Sequence, residues 1–321
     1  MFQTGAMHFP VLSSLPPQRP LLEQLLLQQL IQKNRIQEEH ALLFRYLFAC
    51  AKAGYPSAYI DANSLYPSLE EIADEELLSQ KDSLLLLASA FPKTDLAIPQ
   101  EHAIHRLQNF FYLQRFFVEE TCLIQGLTSH LANWQGPKID RHALEHRLQQ
   151  EMNCLTKEQA KAIVEGCTQP IFLLTGGPGT GKTYTASLLI KHLINGLSKS
   201  EQTSFCIHIA APTGKAAMQL QKTLQKALGF AHTGVKIEAT TLHQLFRLSP
   251  HSPKKPHPLC ADLVVVDESS MIDIPLMSAL LQSLKANSQL ILLGDPYQLP
   301  SIEGGAPFAE FVQHPLLPRV H

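Results

Sequence analysis

Residues Gly176-Gly177-Pro178-Gly179-Thr180-Gly181-Lys182-Thr183 fill every position of the pattern G-x-x-x-x-G-K-[ST]. Glycines in such a run let backbone N–H groups turn inward around phosphate oxygens. The positive end of the following helix adds to the attraction. Lys182 would neutralise the β- and γ-phosphates, and the Thr183 hydroxyl would hold Mg2+. The alternative is a bare glycine turn. However, an apolar run, Ile171-Phe172-Leu173-Leu174, precedes the loop and a helical pattern follows it, which is the strand and helix this chemistry needs.

Two further segments leave apolar runs with polar chemistry at their ends. Leu263-Val264-Val265-Val266 runs into Asp267-Glu268. A buried strand there delivers both carboxylates to the sheet edge where a phosphate loop opens. Asp267 is suited to hold the metal through water, and Glu268 to orient and deprotonate the attacking water. An acidic pair after a strand is more often a solvated loop or a helix cap; the phosphate loop reverses that reading. Leu290–Leu293 runs into Gly294-Asp295-Pro296-Tyr297-Gln298-Leu299-Pro300-Ser301. Gln298 could reach the γ-phosphate there, although a plain proline-containing turn is equally open.

These residues need a scaffold, and the pattern from Leu155 onward supplies one. Helix Lys157–Glu165 precedes the first apolar run. Helix Lys182–Asn195, strand Phe205–Ala210, helix Lys215–Leu228, strand Leu263–Val266, helix Pro275–Leu284 and strand Leu290–Leu293 follow it. Short, fully apolar strands alternating with helices predict a parallel sheet covered on both faces. Ligands in such α/β sheets sit beyond the carboxyl ends of the strands.

Before this the texture is mostly helical. Pro10, Pro16, Pro17 and Pro20 mark an irregular leader. A helix is expected from Leu21 to about Ala53, a short strand at Ala58–Ile60, and a helix beginning at Pro67 with Glu70 and Glu71 in its first turn. Further helices are expected at Lys81–Ala90, Val118–His130 and Arg141–Met152, with a strand at Asn109–Gln114. The expected boundary lies near Gln150, giving a helical module 1–150 and an α/β module 151–321. Ser249–Pro258, with four prolines and two lysines, reads as an exposed loop.

Composition narrows the function classes. The 321 residues are 45% hydrophobic and 17% charged, which excludes bulk disorder and leaves room for two domains. No apolar run approaches the roughly 18 residues of a membrane span. Met1 to Pro10 lack the basic flank and apolar core of a secretory signal. A cytoplasmic location is therefore expected. The net charge is −2, with 12 Lys+Arg against 16 Asp+Glu through Gln150 and 14 against 12 from Glu151. That balance excludes nonspecific coating of nucleic acid and leaves contact by local groups in a groove. Cys50, Cys122, Cys154, Cys167, Cys206 and Cys260 show no zinc-ligand spacing and read as reduced, mostly buried thiols.

Five stretches together resemble the superfamily 1 helicases, and within them the RecD-type alpha subunits of exodeoxyribonuclease V. They are Thr175 to Thr183, Ala210-Ala211-Pro212-Thr213-Gly214-Lys215-Ala216-Ala217, Ala239-Thr240-Thr241-Leu242-His243, Val265-Val266-Asp267-Glu268-Ser269-Ser270-Met271-Ile272-Asp273, and Gly294 to Ser301. The likeness is strong from about Leu155 to Phe311 and weaker before that.

The resemblance implies a RecA-like P-loop domain using ATP and Mg2+ to travel along single-stranded DNA in the 5′-to-3′ direction, in double-strand-break repair and recombination. It implies the beta and gamma subunits of exodeoxyribonuclease V as partners, with the N-terminal module docking on a partner subunit. Thr213, Gly214 and Lys215, and then Thr241 and His243, fall where the family touches DNA. A hydroxyl, an N–H and an ammonium suit a phosphodiester, although Lys215 could be a solvated lysine and His243 a structural histidine. Gln159 matches the glutamine that reads adenine, against the alternative of a surface helix glutamine.

The family has a second RecA-like domain carrying an arginine finger, beyond the position matching His321. Arg319 is not expected to replace that finger. Hence the expectation is a polypeptide that binds ATP·Mg2+, hydrolyses it poorly and does not unwind DNA by itself. A non-motor nucleotide-binding scaffold or regulatory subunit is the competing class. The aromatic cluster Phe110, Phe111, Tyr112, Phe116 and Phe117 reads as core rather than interface.

Overall fold

Strand β5 (Ile171–Thr175) is buried at every position, and its two sets of alternating side chains enter two different cores. Phe172 and Leu174 join one cluster, while Ile171 and Leu173 join the other. That two-sided burial is what a continuous apolar run means in a parallel sheet. The computed structural model describes residues 21–72, 74–94, 102–137, 139–150, 155–229, 235–246, 257–298, 305–315 and 317–320. The proline leader, most of Ser249–Pro258, Cys154 and Leu299–Ser301 lie outside the described residues.

The described chain divides into two compact units, Met1–Gln114 and Arg115–His321. In the first, helices α1 (Leu21–Gln32), α2 (Ala41–Lys52), α3 (Glu75–Leu78) and α4 (Lys81–Ala90) accompany strands β1 (Ser57–Ile60), β2 (Leu65–Tyr66), β3 (Ile104–Leu107) and β4 (Phe110–Leu113). The strands form an antiparallel sheet in the order β2-β1-β4-β3. Leu43, Tyr46 and Leu47 of α2 share a core with Ala58, Ile60, Leu84 and Phe111. Arg106 closes the open end of α4 by donating to the carbonyls of Ala88 and Phe91, at 3.0 and 2.6 Å. The Ala88 carbonyl also accepts from the Phe91 N–H at 3.3 Å, so the last turn is closed by backbone and side chain together.

In the second unit, α5 (Gln114–Asn133), α6 (Arg141–Gln150), α7 (Lys157–Thr168), α8 (Lys182–Gly196), α9 (Lys199–Ser204), α10 (Gly214–Leu228), α11 (Leu242–Leu245), α12 (Ile274–Ser283) and α13 (Pro307–Gln313) surround one sheet. With β5 it contains β6 (Cys206–Ala211), β7 (Lys236–Thr241), β8 (Leu263–Val266), β9 (Gln289–Gly294) and β10 (Arg319–Val320). All five pairings are parallel, in the order β10-β5-β9-β8-β6-β7. Side chains of α6, α7, α8 and α10 build one core and those of α5, α11, α12 and α13 the other. The α/β architecture with helices on both faces is the one expected from the sequence.

Three expectations need correction. The helix expected over Leu21–Ala53 is two helices. Asn34 takes a left-handed φ of 52°, with Arg35 N–H bonded to the Leu30 carbonyl and Asn34 N–H to that of Ile31. That paired pattern terminates a helix. Pro67 does not open a helix. Ser68 and Glu71 bond each other's N–H groups reciprocally, making a single turn, and the next helix starts after Asp74, whose carboxylate caps it. The N-terminal unit is helical in most of its ordered elements, as expected, and it also carries a four-stranded sheet. The division falls after Gln114 rather than near Gln150, because Leu123 of α5 and Leu144 and Leu148 of α6 pack into the cores of the parallel sheet.

Of the aromatic cluster, Phe111, Tyr112 and Phe117 are buried and Phe110 is exposed.

Candidate active site

The loop between β5 and α8 is shaped by its glycines. Gly181 caps α8 with a left-handed φ of 83° and offers no side-chain acceptor. The first-turn N–H groups of α8 therefore face the loop without a side-chain cap from that position, as an anion site requires. At Gly176 a Cβ would stand 2.6 Å from Thr180 Oγ1, so only glycine lets the loop close that tightly. Lys182 Nζ donates to the Gly176 and Gly177 carbonyls at 2.6 and 2.8 Å. The ammonium thus sits on the loop itself, and a phosphate would draw it off those carbonyls. Thr183 follows in the first turn of α8.

Asp267 and Glu268 leave β8 at the same edge. The Asp267 N–H donates to the Ala210 carbonyl at 2.9 Å, fastening this corner to the end of β6. Burial pushes the Asp267 carboxyl up. A hydrogen bond from the Glu268 N–H opposes that rise, the Glu268 charge adds to it and the Lys182 ammonium lowers it. A buried carboxylate whose charged form is disfavoured is suited to a cation, and Thr183 and Asp267 are the residues that would hold Mg2+. Glu268 has a left-handed φ of 54°, a conformation that costs a non-glycine residue about 1–3 kcal/mol and tends to gather at functional sites.

Gln298 lies at this edge beyond β9. Its Oε1 accepts from the Ser270 hydroxyl at 3.2 Å, which leaves the amide NH2 as the end it can turn to a phosphate. Gln159 lies on the first turn of α7, and with Gly176, Thr180, Lys182 and Val320 it lines a cleft of about 260 Å3. The structure therefore brings Gln159 beside the phosphate loop. Its Oε1 also caps α7 by accepting from Thr156 N–H at 3.0 Å. A larger cleft of about 630 Å3 between α5 and α12 has no Asp, Glu, Lys or Arg in its wall, so volume alone does not pick out the site.

Thr213, Gly214 and Lys215 are exposed at the start of α10. Thr241 and His243 sit at the start of α11. The two groups are neighbours: Ala211 pairs with Thr241 across β6 and β7, and a Cβ on Gly214 would lie 3.8 Å from Thr241 Cγ2. The hydroxyls of Thr213 and Thr241 accept from Ala216 and Gln244 N–H, at 3.3 Å each. Strands β9 and β8 separate β5 from β6, so this polar pair and the phosphate loop occupy different stretches of one sheet edge.

Sequence reasoning missed four groups here. Asp295 is buried, and its Oδ2 lies 4.0 Å from where a Gly177 Cβ would be. Ser270 anchors Gln298. Glu158 shares the cleft with Gln159. Val320 walls it from β10, where its carbonyl accepts from Thr175 Oγ1 at 3.2 Å. Asp295 could have been found, since it follows a buried strand as Asp267 does; the two-residue β10 has no periodicity to detect.

The family model described as an AAA domain matches residues 159–304. The RecBCD enzyme subunit RecD of Haemophilus influenzae is 33% identical over 227 residues, covering 65% of this chain and 35% of that protein. The RecBCD enzyme subunit RecD of Mycolicibacterium smegmatis is 37% identical over 224 residues, covering 64% of this chain and 38% of that protein. The ATP-dependent RecD2 DNA helicase of Deinococcus radiodurans is 31% identical over 161 residues, covering 50% and 20%. Among solved structures, a chain from work on DNA unwinding at forked dsDNA by two coordinating Pif1 helicases matches 50% of this chain and 37% of its own, with 22% identity and a TM-score of 0.32. The chain spans about a third of the length of the RecD relatives it matches. In its motifs and over the residues it shares with them, the chain is similar to the RecD subunits of these bacteria.

Proposed function

We propose that this chain carries a nucleotide-binding motor unit of a RecD-type DNA helicase, which couples ATP hydrolysis to travel along single-stranded DNA. One observation supports this most. The phosphate loop, Asp267, Glu268, Gln298 and both polar segments at Thr213 and Thr241 end on one edge of a single sheet. The Asp267 N–H bond to the Ala210 carbonyl links the nucleotide side to the strand that leads into Thr213.

In this reading Gly176 to Gly181 cradle the phosphates with backbone N–H groups, Lys182 offsets their charge, and Thr183 and Asp267 hold Mg2+. The metal, when bound, neutralises charge on the phosphates. Glu268 takes a proton from the attacking water, Gln298 contacts the γ-phosphate, and Gln159 contacts the base. Thr213, Gly214, Lys215, Thr241 and His243 hold the DNA backbone.

The 5′-to-3′ direction, the beta and gamma subunits of exodeoxyribonuclease V as partners of the N-terminal unit, a cytoplasmic site of action and a role in double-strand-break repair and recombination follow from the family likeness.

The test is the affinity of a fluorescent single-stranded oligonucleotide, measured with and without ATP·Mg2+, for the wild-type chain, Lys182→Ala and Lys215→Ala. A motor grips DNA differently in its nucleotide states. The expected result is a nucleotide-dependent affinity that Lys182→Ala makes nucleotide-independent and Lys215→Ala weakens. An oligonucleotide affinity indifferent to nucleotide and to Lys215 would refute the motor and favour a scaffold.

A further inference from the structure

We propose that the outer face of α10 is a further contact surface for single-stranded DNA. On it, Lys222 and Lys226 hold phosphates of the strand that Thr213 and Lys215 receive at the sheet edge. This rests on the motor reading above and deepens it.

The helix sets its exposed polar residues in one row. Lys215, Gln219, Lys222 and Lys226 stand at i, i+4, i+7 and i+11, and all four are exposed. At 3.6 residues per turn they fall within about 60° of one another around the helix. The buried residues of α10, Ala217, Leu220, Leu224 and Leu228, centre on the opposite side and join the core of the sheet. From Lys215 to Lys226 the row is about 16 Å long, at about 1.5 Å per residue.

The charge of this face is of one sign. Lysines on a surface helix are commonly offset by acids three or four positions away. No Asp or Glu occurs in α10, nor in α8, which packs beside it. Gln221 fastens α10 to β7 by donating to the Ile237 carbonyl at 3.1 Å, and the acid of β7 is Glu238. Ile237 and Ala239 pack on the core beneath α10, so strand alternation turns Glu238 to the other face of the sheet. There Lys236 and His208 hold it, at 2.5 and 3.1 Å. Among the described residues, Lys215, Lys222 and Lys226 have no ion pair.

Three ammoniums and one amide donor in line fit a ligand of regularly repeated negative charge, which is a nucleic-acid backbone. Lys215 belongs both to the sheet-edge segment and to the row, so a strand held at Thr213 meets the row at its first member. An unpaired strand can turn off the edge along the helix. A duplex, with a persistence length of about 50 nm, resists that turn.

The test is fluorescence anisotropy of labelled oligothymidylates of about 6 and about 20 nucleotides, a single local site and a longer track, across salt concentrations. Lys222→Ala/Lys226→Ala should lower the slope of log affinity against log salt by about 1.4 for the long strand, two contacts at about 0.7 each. The short strand should be unaffected. Alanine favours helix, so α10 persists, and Lys222→Arg/Lys226→Arg should keep the wild-type slope. Lys161→Ala/Lys199→Ala removes two exposed lysines from α7 and α9 and should leave both strands unaffected. A long-strand slope unmoved by the double alanine change, an equal change at both lengths, or the same change from the Lys161 and Lys199 pair overturns the inference. So does an effect confined to a duplex of the longer length. If Lys215→Ala weakens both strands while the row changes neither, only this inference falls. If none of the three lysines alters either strand, the DNA reading of the sheet edge falls and takes this inference with it.

Discussion

Replacing Gly294 by alanine should damage stability and nucleotide affinity together, through one methyl group. Gly294 ends β9, and a Cβ there would lie 2.7 and 2.8 Å from Cε1 and Cζ of Phe308 and 3.1 Å from the Ser270 backbone nitrogen. Phe308 is 1% exposed and Ser270 6%, so neither has open space to move into. Overpacking a core by a methylene costs about 1–3 kcal/mol, and alanine recovers about 0.5–1 kcal/mol relative to glycine within a strand. A net loss of about 1–2 kcal/mol lowers the melting temperature by roughly 2–8 °C in a unit of this size. Pushing back Ser270 also disturbs its hydroxyl bond to Gln298, so ATP should bind several-fold more weakly. Differential scanning calorimetry and nucleotide titration read the two effects. The obstacle is the Phe308 ring edge, so Phe308→Leu combined with Gly294→Ala should be less destabilised than the sum of the single changes, by more than about 0.5 kcal/mol. An unchanged melting temperature for Gly294→Ala, or strict additivity with Phe308→Leu, would refute the reasoning.

Asp267→Asn should make the nucleotide-free protein more stable at neutral pH. Burial raises the folded-state pKa of Asp267, so the folded state favours the protonated carboxyl, and the charged form subtracts stability as pH rises through that value. Relief of this kind at functional sites typically gives about 0.5–2 kcal/mol. Thermal unfolding against pH should show the gain at neutral pH closing as the solution turns acidic, and a gain that instead grows in acid contradicts the assignment. Alkylation of the native protein at mildly basic pH, read by mass spectrometry, should modify exposed Cys260 first. Buried Cys50 and Cys167, whose thiols burial pushes up to about 12, should stay unmodified until unfolding. Comparable rates at all three would contradict the packing described. Lys215→Ala should lower the slope of log affinity for single-stranded DNA against log salt by about 0.7, the contribution of one phosphate contact; an unchanged slope removes Lys215 from the DNA surface.

The nucleotide side was legible because its chemistry needs specific residue types at fixed spacing on buried strands. Ile171–Leu174, Val264–Val266 and Leu290–Leu293 could be read from apolar runs, and the loop and carboxylates stand at their ends. Strand β7 was not legible: Lys236–Thr241 lies at the sheet edge with an alternating, half-exposed surface, and Lys236 and Glu238 interrupt any apolar run. Asn34 gave a termination signal, but the apolar periodicity on both sides of it suggested one helix. The boundary was misread because α5 and α6 look like neighbouring helices of the N-terminal half, while their burial is decided by a sheet that forms far along the chain. Gln159 shows a different limit. A glutamine three residues after Thr156 satisfies both a capping box and a base contact, and only the bond from Thr156 N–H to Oε1 shows which end is already occupied.

The most direct test of the central claim is calorimetric titration of ATP with Mg2+ into the wild-type chain and Lys182→Ala. The account predicts one ATP per wild-type chain, bound more weakly once Mg2+ is chelated. Loss of the Lys182 charge-assisted contact should weaken binding by about 10–100-fold. Equal affinity in the two proteins, or wild-type binding indifferent to Mg2+, would contradict a triphosphate seated on the loop with its metal beside Asp267.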